Sequence, residues 1–256
     1  MIEMRLSYIN INIKKLFNKK IGKIISTDKS QVGKYIDING DGIPEGVIFA
    51  DLAVGGEGRW WPSNCEWLAS RYLKHTAYVI PPVKEGLKDY IVTDTYTHPI
   101  NGKQEVLAPS GEGIDRFYIM DINDSIKNSC SIKSLPFFDK VKTKAKFGTG
   151  RQNTINILNQ WKNDICNQKD DKDLWNYIQD KVNNGWFIPS CEEWSAFNKS
   201  LNIREHTNVS FKGFYTDYYC VSTQTPDKNF YITYWTIGFE PSQGNELLKI
   251  RLAKTI

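Results

Sequence analysis

Residues 183–197, NNGWFIPSCEEWSAF, end one helix, cross in extended form and begin another helix. Ser190 and Glu193 have the S-x-x-E spacing of a capping box, in which hydroxyl and carboxylate each satisfy a backbone N–H left orphaned by the first helical turn. Trp194, Phe197 and Leu201 then share one helical face. Pro189 suits a chain leaving a strand, because it cannot donate to a sheet ladder. Trp186, Pro189, Ser190, Glu193 and Trp194 are therefore read as structural residues: a buried crossing, then a helix aimed back at the core. A chain built around such a unit must layer helices on a sheet.

The pattern on either side agrees. In residues 151–165, Ile157, Trp161 and Ile165 recur at helical spacing with Leu158 beside them. In residues 172–183, Leu174, Ile178 and Val182 repeat that spacing and Trp175 widens the stripe; Asp170 or Asp171 can cap the start, and Gly185 suits the position past the end. Upstream, GKYIDINGDGIPEGVIFAD alternates apolar and polar residues about a Gly-Asp-Gly turn, which predicts a β-hairpin. Short strands are predicted at 78–82, 89–93 and 115–122, and a Lys- and Ser-rich surface excursion at about 123–146. From 211 onward FYTDYYCVSTQ, NFYITYWTIGF and LLKIRLAKTI predict a closing meander of three strands. PSNCEWLA at 62–69 echoes PSCEEWSA at 189–196, which is read as reused capping chemistry.

With 256 residues and 40% hydrophobic content, the chain can bury a sizeable core. Its net charge of +4 is unevenly placed. Residues 1–34 carry Arg5 and seven lysines against Glu3 and Asp28, a net +6, so the remainder carries −2. Residues 1–32 are accordingly read as a basic leader and 33–256 as a single domain. Nucleic-acid binding, which needs cations clustered on one folded face, is not expected. No apolar run spans a bilayer, and the N-terminus lacks an apolar signal region. The five cysteines are odd in number and show no CxxC, so cytoplasmic synthesis with free thiols is the default expectation; a virion or cell-surface location stays open.

FGTGRQNTINIL, LWNYIQDKVNNGWFIPSCEEWSAF, YYCVSTQ and the terminal KIRL together resemble a family. It is the bacterial and phage C-type-lectin-fold proteins related to the formylglycine-generating-enzyme branch. That branch carries an (R/F)-(L/V/I)-P-(S/T)-x-x-E-W segment before a helix, matched here by Phe187 to Trp194, and a Y-W-S-S-S/T-Q/E strand, matched by Tyr218 to Gln224. The second match departs from the pattern: Tyr219 stands where Trp is usual, and Cys220-Val221 interrupts the serine run. The resemblance implies an α+β, C-type-lectin-like fold: a mixed, mostly antiparallel sheet with two to three packed helices.

Candidate chemistry follows. The branch's oxidases use two late cysteines as a copper(I) site, since soft thiolates suit that ion. Here only Cys191 and Cys220 lie in the last third, and Cys191 falls in a helix's first turn. Iron-dependent relatives would need clustered histidines, but His75, His98 and His206 are far apart in sequence. A non-catalytic role is expected. Asp37, Asn39 and Asp41, with Gly42, match the start of an EF-hand-like loop, and Glu45 or Asp51 could add an oxygen. Position 12 is Ile48 instead of Glu, so the stretch reads either as a plain turn or as a turn that also binds calcium. FEPSQGNE resembles the Glu-Pro-Asn sugar signature of calcium-dependent lectins through Glu240, Asn245 and Glu246, but Ser242 replaces the Asn. FGTGRQN opens a helix and could cradle an anion on free N–H groups, although a glycine-bearing helix entry explains it as well. In the C-terminal strands, alternation sends Tyr231, Thr233 and Trp235 to one face and Ile232, Tyr234 and Thr236 to the other. Rings beside adaptable polar groups suit recognition, which marks Asn229, Tyr231, Thr233, Tyr234, Trp235, Gln243 and Asn245 as ligand-binding candidates for a protein or glycan. The alternatives are an oxidase-like enzyme of the formylglycine-generating type with a degenerate metal site, and a structural phage or cell-surface component.

Overall fold

A computed structural model describes residues 22–60, 75–98, 102–122, 141–163, 174–201, 219–227, 229–234, 238–242 and 249–256. The fold is mixed α+β, with a large, mostly antiparallel sheet and, among the described residues, three helices. Seven strands form the main sheet: β1 (Tyr35–Ile36), β2 (Gly46–Asp51), β5 (Tyr90–His98), β6 (Gly102–Pro109), β7 (Phe117–Asp121), β8 (Trp186–Phe187) and β12 (Ala253–Thr255). Their order is β5-β6-β1-β2-β7-β12-β8, and only β1 and β6 run parallel. A two-stranded ribbon joins β3 (Gly56–Arg59) and β4 (Ala77–Ile80), and a three-stranded sheet is ordered β11-β10-β9. These last strands are β9 (Tyr219–Gln224), β10 (Phe230–Tyr234) and β11 (Gly238–Pro241). The helices are α1 (Gly150–Asn163), α2 (Leu174–Asn183) and α3 (Cys191–Ser200). No helix among the described residues is long and apolar enough to cross a membrane.

Strand β2 shows why the main sheet is covered on both faces. GVIFAD is buried throughout, and its alternation divides Ile48 from Val47 and Phe49. Ile48 joins one core cluster with Ile119, Leu107 and the α1 and α2 stripes: Ile157, Leu158, Trp161, Trp175, Ile178 and Val182. Val47 and Phe49 join the other, with Met120, Trp194, Ala196 and Phe197 of α3. The amphipathic helices therefore flank the sheet on opposite sides, α1 and α2 together and α3 alone.

Three expectations change in detail. The predicted closing meander is real for β9, β10 and β11, but β12 leaves it and inserts between β7 and β8. Residues 22–32, which the charge count assigns to the leader, are fastened to the body: Ile25 N donates to Tyr90 O, Arg116 Nη2 to Ser26 O, and Gln31 N to Asp51 Oδ2. The expected surface excursion also ends early, since Val141 is buried and residues 141–146 lie against β9 and α1.

Candidate functional site

The capping box forms as the spacing predicts. Ser190 N donates to Glu193 Oε2 at 2.6 Å, and Ser190 Oγ accepts from Glu193 N. The same carboxylate has a second role that the local pattern does not reveal. Its Oε1 accepts from Gly148 N at 3.1 Å and from Gly150 N at 3.4 Å, so Glu193 also caps the entry to α1. Glu192 Oε2 accepts from Phe147 N at 3.1 Å. The anion for the FGTG amides is thus supplied by the chain's own two carboxylates. A Cβ on Gly150 would collide with Glu193 Oε2 and come within 2.9 Å of Ile188 O, which explains the glycine. Complete burial pushes the Glu193 carboxyl up to about 7, against the pull of Ser190, Gly150 and Gly148 donors in the opposite direction.

The three motif segments meet here. Ser222 N donates to Pro189 O at 2.9 Å, and Cys191 N donates to Thr223 Oγ1 at 3.2 Å, joining the crossing to β9. Asn153 of α1 accepts from Lys144 N and donates to Lys144 O, at 2.9 and 2.7 Å, and also reaches Ser222 Oγ. Thr154 Oγ1 bridges Gly150 O and Ile188. The crossing of Trp186, Phe187, Ile188 and Pro189 is therefore a girder between the main sheet and β9, and Trp194 packs 5.3 Å from Tyr219 across it.

Beside this junction opens a cleft of about 570 Å³, lined by His75, Lys142, Thr143, Thr223, Gln224, Thr225 and Tyr231 with Val141, Ala145 and Pro226. Residues 141–145 form one wall and the end of β9 another. The walls are tied by Gln224 N to Thr143 Oγ1 at 2.8 Å and Val141 N to Gln224 Oε1 at 3.1 Å. His75 stands edge-on to Tyr231 at 5.3 Å, and its carbonyl accepts from Ser195 Oγ. Thr225 Oγ1 is buried and has no hydrogen-bond partner among the described residues.

Among the described residues of the C-terminal strands, the expected open, ring-bearing face is not found. Tyr231 and Thr233 are each 3% exposed, and Phe230 and Ile232 on the opposite face are sealed as well. The reason is that β9–β11 is itself sandwiched: Cys220, Phe230 and Ile232 enter the cluster of α1 and α2, while Tyr219, Val221, Tyr231 and Phe239 enter that of α3. Of the recognition candidates, Tyr231 also borders the cleft, and Asn229 O accepts from Thr225 N in the adjoining turn. Trp235, Gln243 and Asn245, like Glu246, lie outside the described residues, as does the side chain of Tyr234. Cleft-lining Thr143, Thr223, Gln224 and Thr225 are not among the sequence candidates; the local signal for the last three is the hydroxyl-rich STQT that ends β9.

The Asp37 turn satisfies itself. Asp37 Oδ1 and Oδ2 accept from Gly40 N and Gly42 N, Asn39 Oδ1 from Asp41 N, Asp41 Oδ1 from Ile43 N, and Glu45 Oε2 from Ile38 N. Gly40 and Gly42 take the positive φ values, 73° and 89°, that the turn demands. Asp51 is engaged elsewhere, in a buried two-point ion pair with Arg116 at 2.9 Å. Cys191 and Cys220 are both buried; burial raises both thiols, Cys220 to about 12, and keeps them protonated.

Compared with family models, with curated proteins and with solved structures, the chain has no match.

Proposed function

We propose that this chain is a non-catalytic recognition protein for a protein or glycan, built on a C-type-lectin-like domain, and that its ligand enters the cleft beside β9. The observation that carries this reading is the cleft itself: an open concavity walled by Thr143, Thr223, Gln224 and Thr225 with the His75–Tyr231 ring pair at its side. Hydroxyl and amide groups on braced backbone, with the half-buried His75 ring beside them, suit selective, non-covalent contact. The meeting of the FIPSCEEW and YCVSTQ segments through Ser222 N and Pro189 O supports the lectin-like reading. The oxidase alternative has less support, because its thiols would have to leave complete burial and lose their protons.

The test is a glycan and surface-protein array probed with the wild type, His75→Ala and Thr225→Val. Both changes leave the junction intact, and a cleft ligand should bind each variant roughly fivefold to tenfold more weakly, the effect of one or two lost polar contacts. Binding unaffected by either substitution would remove the cleft as the site.

A further inference from the structure

Residues 141–147, VKTKAKF, alternate strictly. Val141 is buried and Thr143, Ala145 and Phe147 are half-buried, whereas Lys142, Lys144 and Lys146 are exposed. Exposure alternates along the segment, so the three lysines follow one another along its outer side. The whole-chain charge count averages this row away, since it places the cationic excess in residues 1–34.

The row is also preorganised. Lys142 O accepts from Asn156 Nδ2, Lys144 is held at both N and O by Asn153, and Lys146 O accepts from Ser190 Oγ and Thr149 Oγ1. Ala145 O accepts from Glu192 N. A backbone held at each step loses little freedom when a ligand lies along it. Glu192, whose charge reaches Lys146, is tied inward to Phe147 N.

Lys142 belongs to both the row and the cleft wall, and no carboxylate lines the cleft among the described residues. We propose that the lysine row and the cleft form one continuous site for an acidic polysaccharide. Its carboxylate or sulfate groups lie along Lys142, Lys144 and Lys146, and one sugar unit sets its hydroxyls against Thr143, Gln224 and the Thr225 hydroxyl, which has no hydrogen-bond partner among the described residues. This deepens the recognition reading above and rests on it. A peptide would meet the lysines equally well, but the hydroxyl-lined cleft matches the dense donors and acceptors of a sugar. Nucleic acid fits less well, because base stacking requires open ring faces and Tyr231 is buried.

The experiment measures binding of the full chain to polygalacturonate, heparin, neutral dextran and single-stranded DNA at low and high salt. It compares the wild type, the triple variant Lys142→Gln/Lys144→Gln/Lys146→Gln and Thr225→Val, with melting curves to show that each is folded. The expected result is binding of both acidic polysaccharides that weakens with salt. The triple variant should lose roughly tenfold at low salt, and Thr225→Val should weaken polysaccharide binding alone. Dextran binding as tightly as polygalacturonate, or a triple variant with wild-type affinity whose binding still depends on Thr225, would overturn the acidic ligand and leave the cleft reading standing. DNA binding as tight as that of the polysaccharides would overturn the sugar. Absence of polysaccharide binding overturns the inference, and a cleft-dependent array hit would then separate its failure from that of the broader reading.

Discussion

The Asp37 turn and the Glu193 junction use the same device, a buried carboxylate that accepts backbone amides, over different ranges of the chain. Asp37 gathers N–H groups three and five residues ahead of it, in a turn whose tip is exposed. Glu193 gathers one donor three residues back and others 43 and 45 residues away, in complete burial. The first therefore shapes a local hairpin, and the second locks two helix starts together. Both carboxylates are buried, but their donors differ: the Gly40 and Gly42 amides lie at an exposed tip that water can reach, whereas nothing replaces Glu193 at the buried Ser190 and Gly150 amides. A buried donor left unpaired carries its full desolvation cost.

The sharpest way to break this contrast is Glu193→Ala. It strips the amides of Ser190, Gly148 and Gly150 of their acceptor, and should cost about 3–5 kcal/mol in denaturant unfolding. A loss below about 1 kcal/mol would mean that the junction is held by packing alone. The pH dependence comes next. The Glu193 carboxyl is raised from 4.5 to about 7 in the folded chain, so between those values the folded state keeps a proton that the unfolded state releases. Its contribution is complete below 4.5 and is lost as pH rises to about 7, a decline of roughly 2–3 kcal/mol. Glu193→Gln should flatten that slope in urea melts across the range, and an unchanged slope would assign it to another group.

Asp37→Ala should cost less, about 1–2 kcal/mol, because only the amides of Gly40 and Gly42 lose their acceptor and the turn can hydrate. Asn39→Ala should cost least, under about 0.5 kcal/mol, since one exposed turn amide is affected. Millimolar calcium sharpens the comparison. With the oxygens of Asp37, Asn39, Asp41 and Glu45 already accepting amides, the melting temperature should stay constant within about a degree. A rise of several degrees would show that these oxygens turn to a cation that binds only the native state.

Legibility followed range. The hairpin of β1 and β2, the helical stripes and the Ser190–Glu193 box could be read because their partners lie within a few residues. Even there the first turn gave only half of Glu193's role, since the Gly148 amide arrives from a distant segment. The C-terminal strands show the opposite case. Alternation correctly separated Tyr231 and Thr233 from Ile232, but strand periodicity cannot state how many layers cover a sheet, and at the described residues both faces are covered. The lysines of VKTKAKF were visible as composition, and became a row only when the neighbouring residues were anchored by Asn153, Asn156 and Glu192.

By itself, the sequence determined where the three helices and the β1–β2 hairpin lie, because capping, turn geometry and periodicity are interactions among neighbours along the chain. It did not show the β5–β6 hairpin, of which only residues 89–93 were expected as strand. Tertiary structure alone decided that β12 enters the main sheet, that the described rings of β9–β11 are enclosed, and that a cleft opens beside β9. Those outcomes depend on which apolar faces meet across long separations, and burial is a property of the assembled layers, not of any one segment.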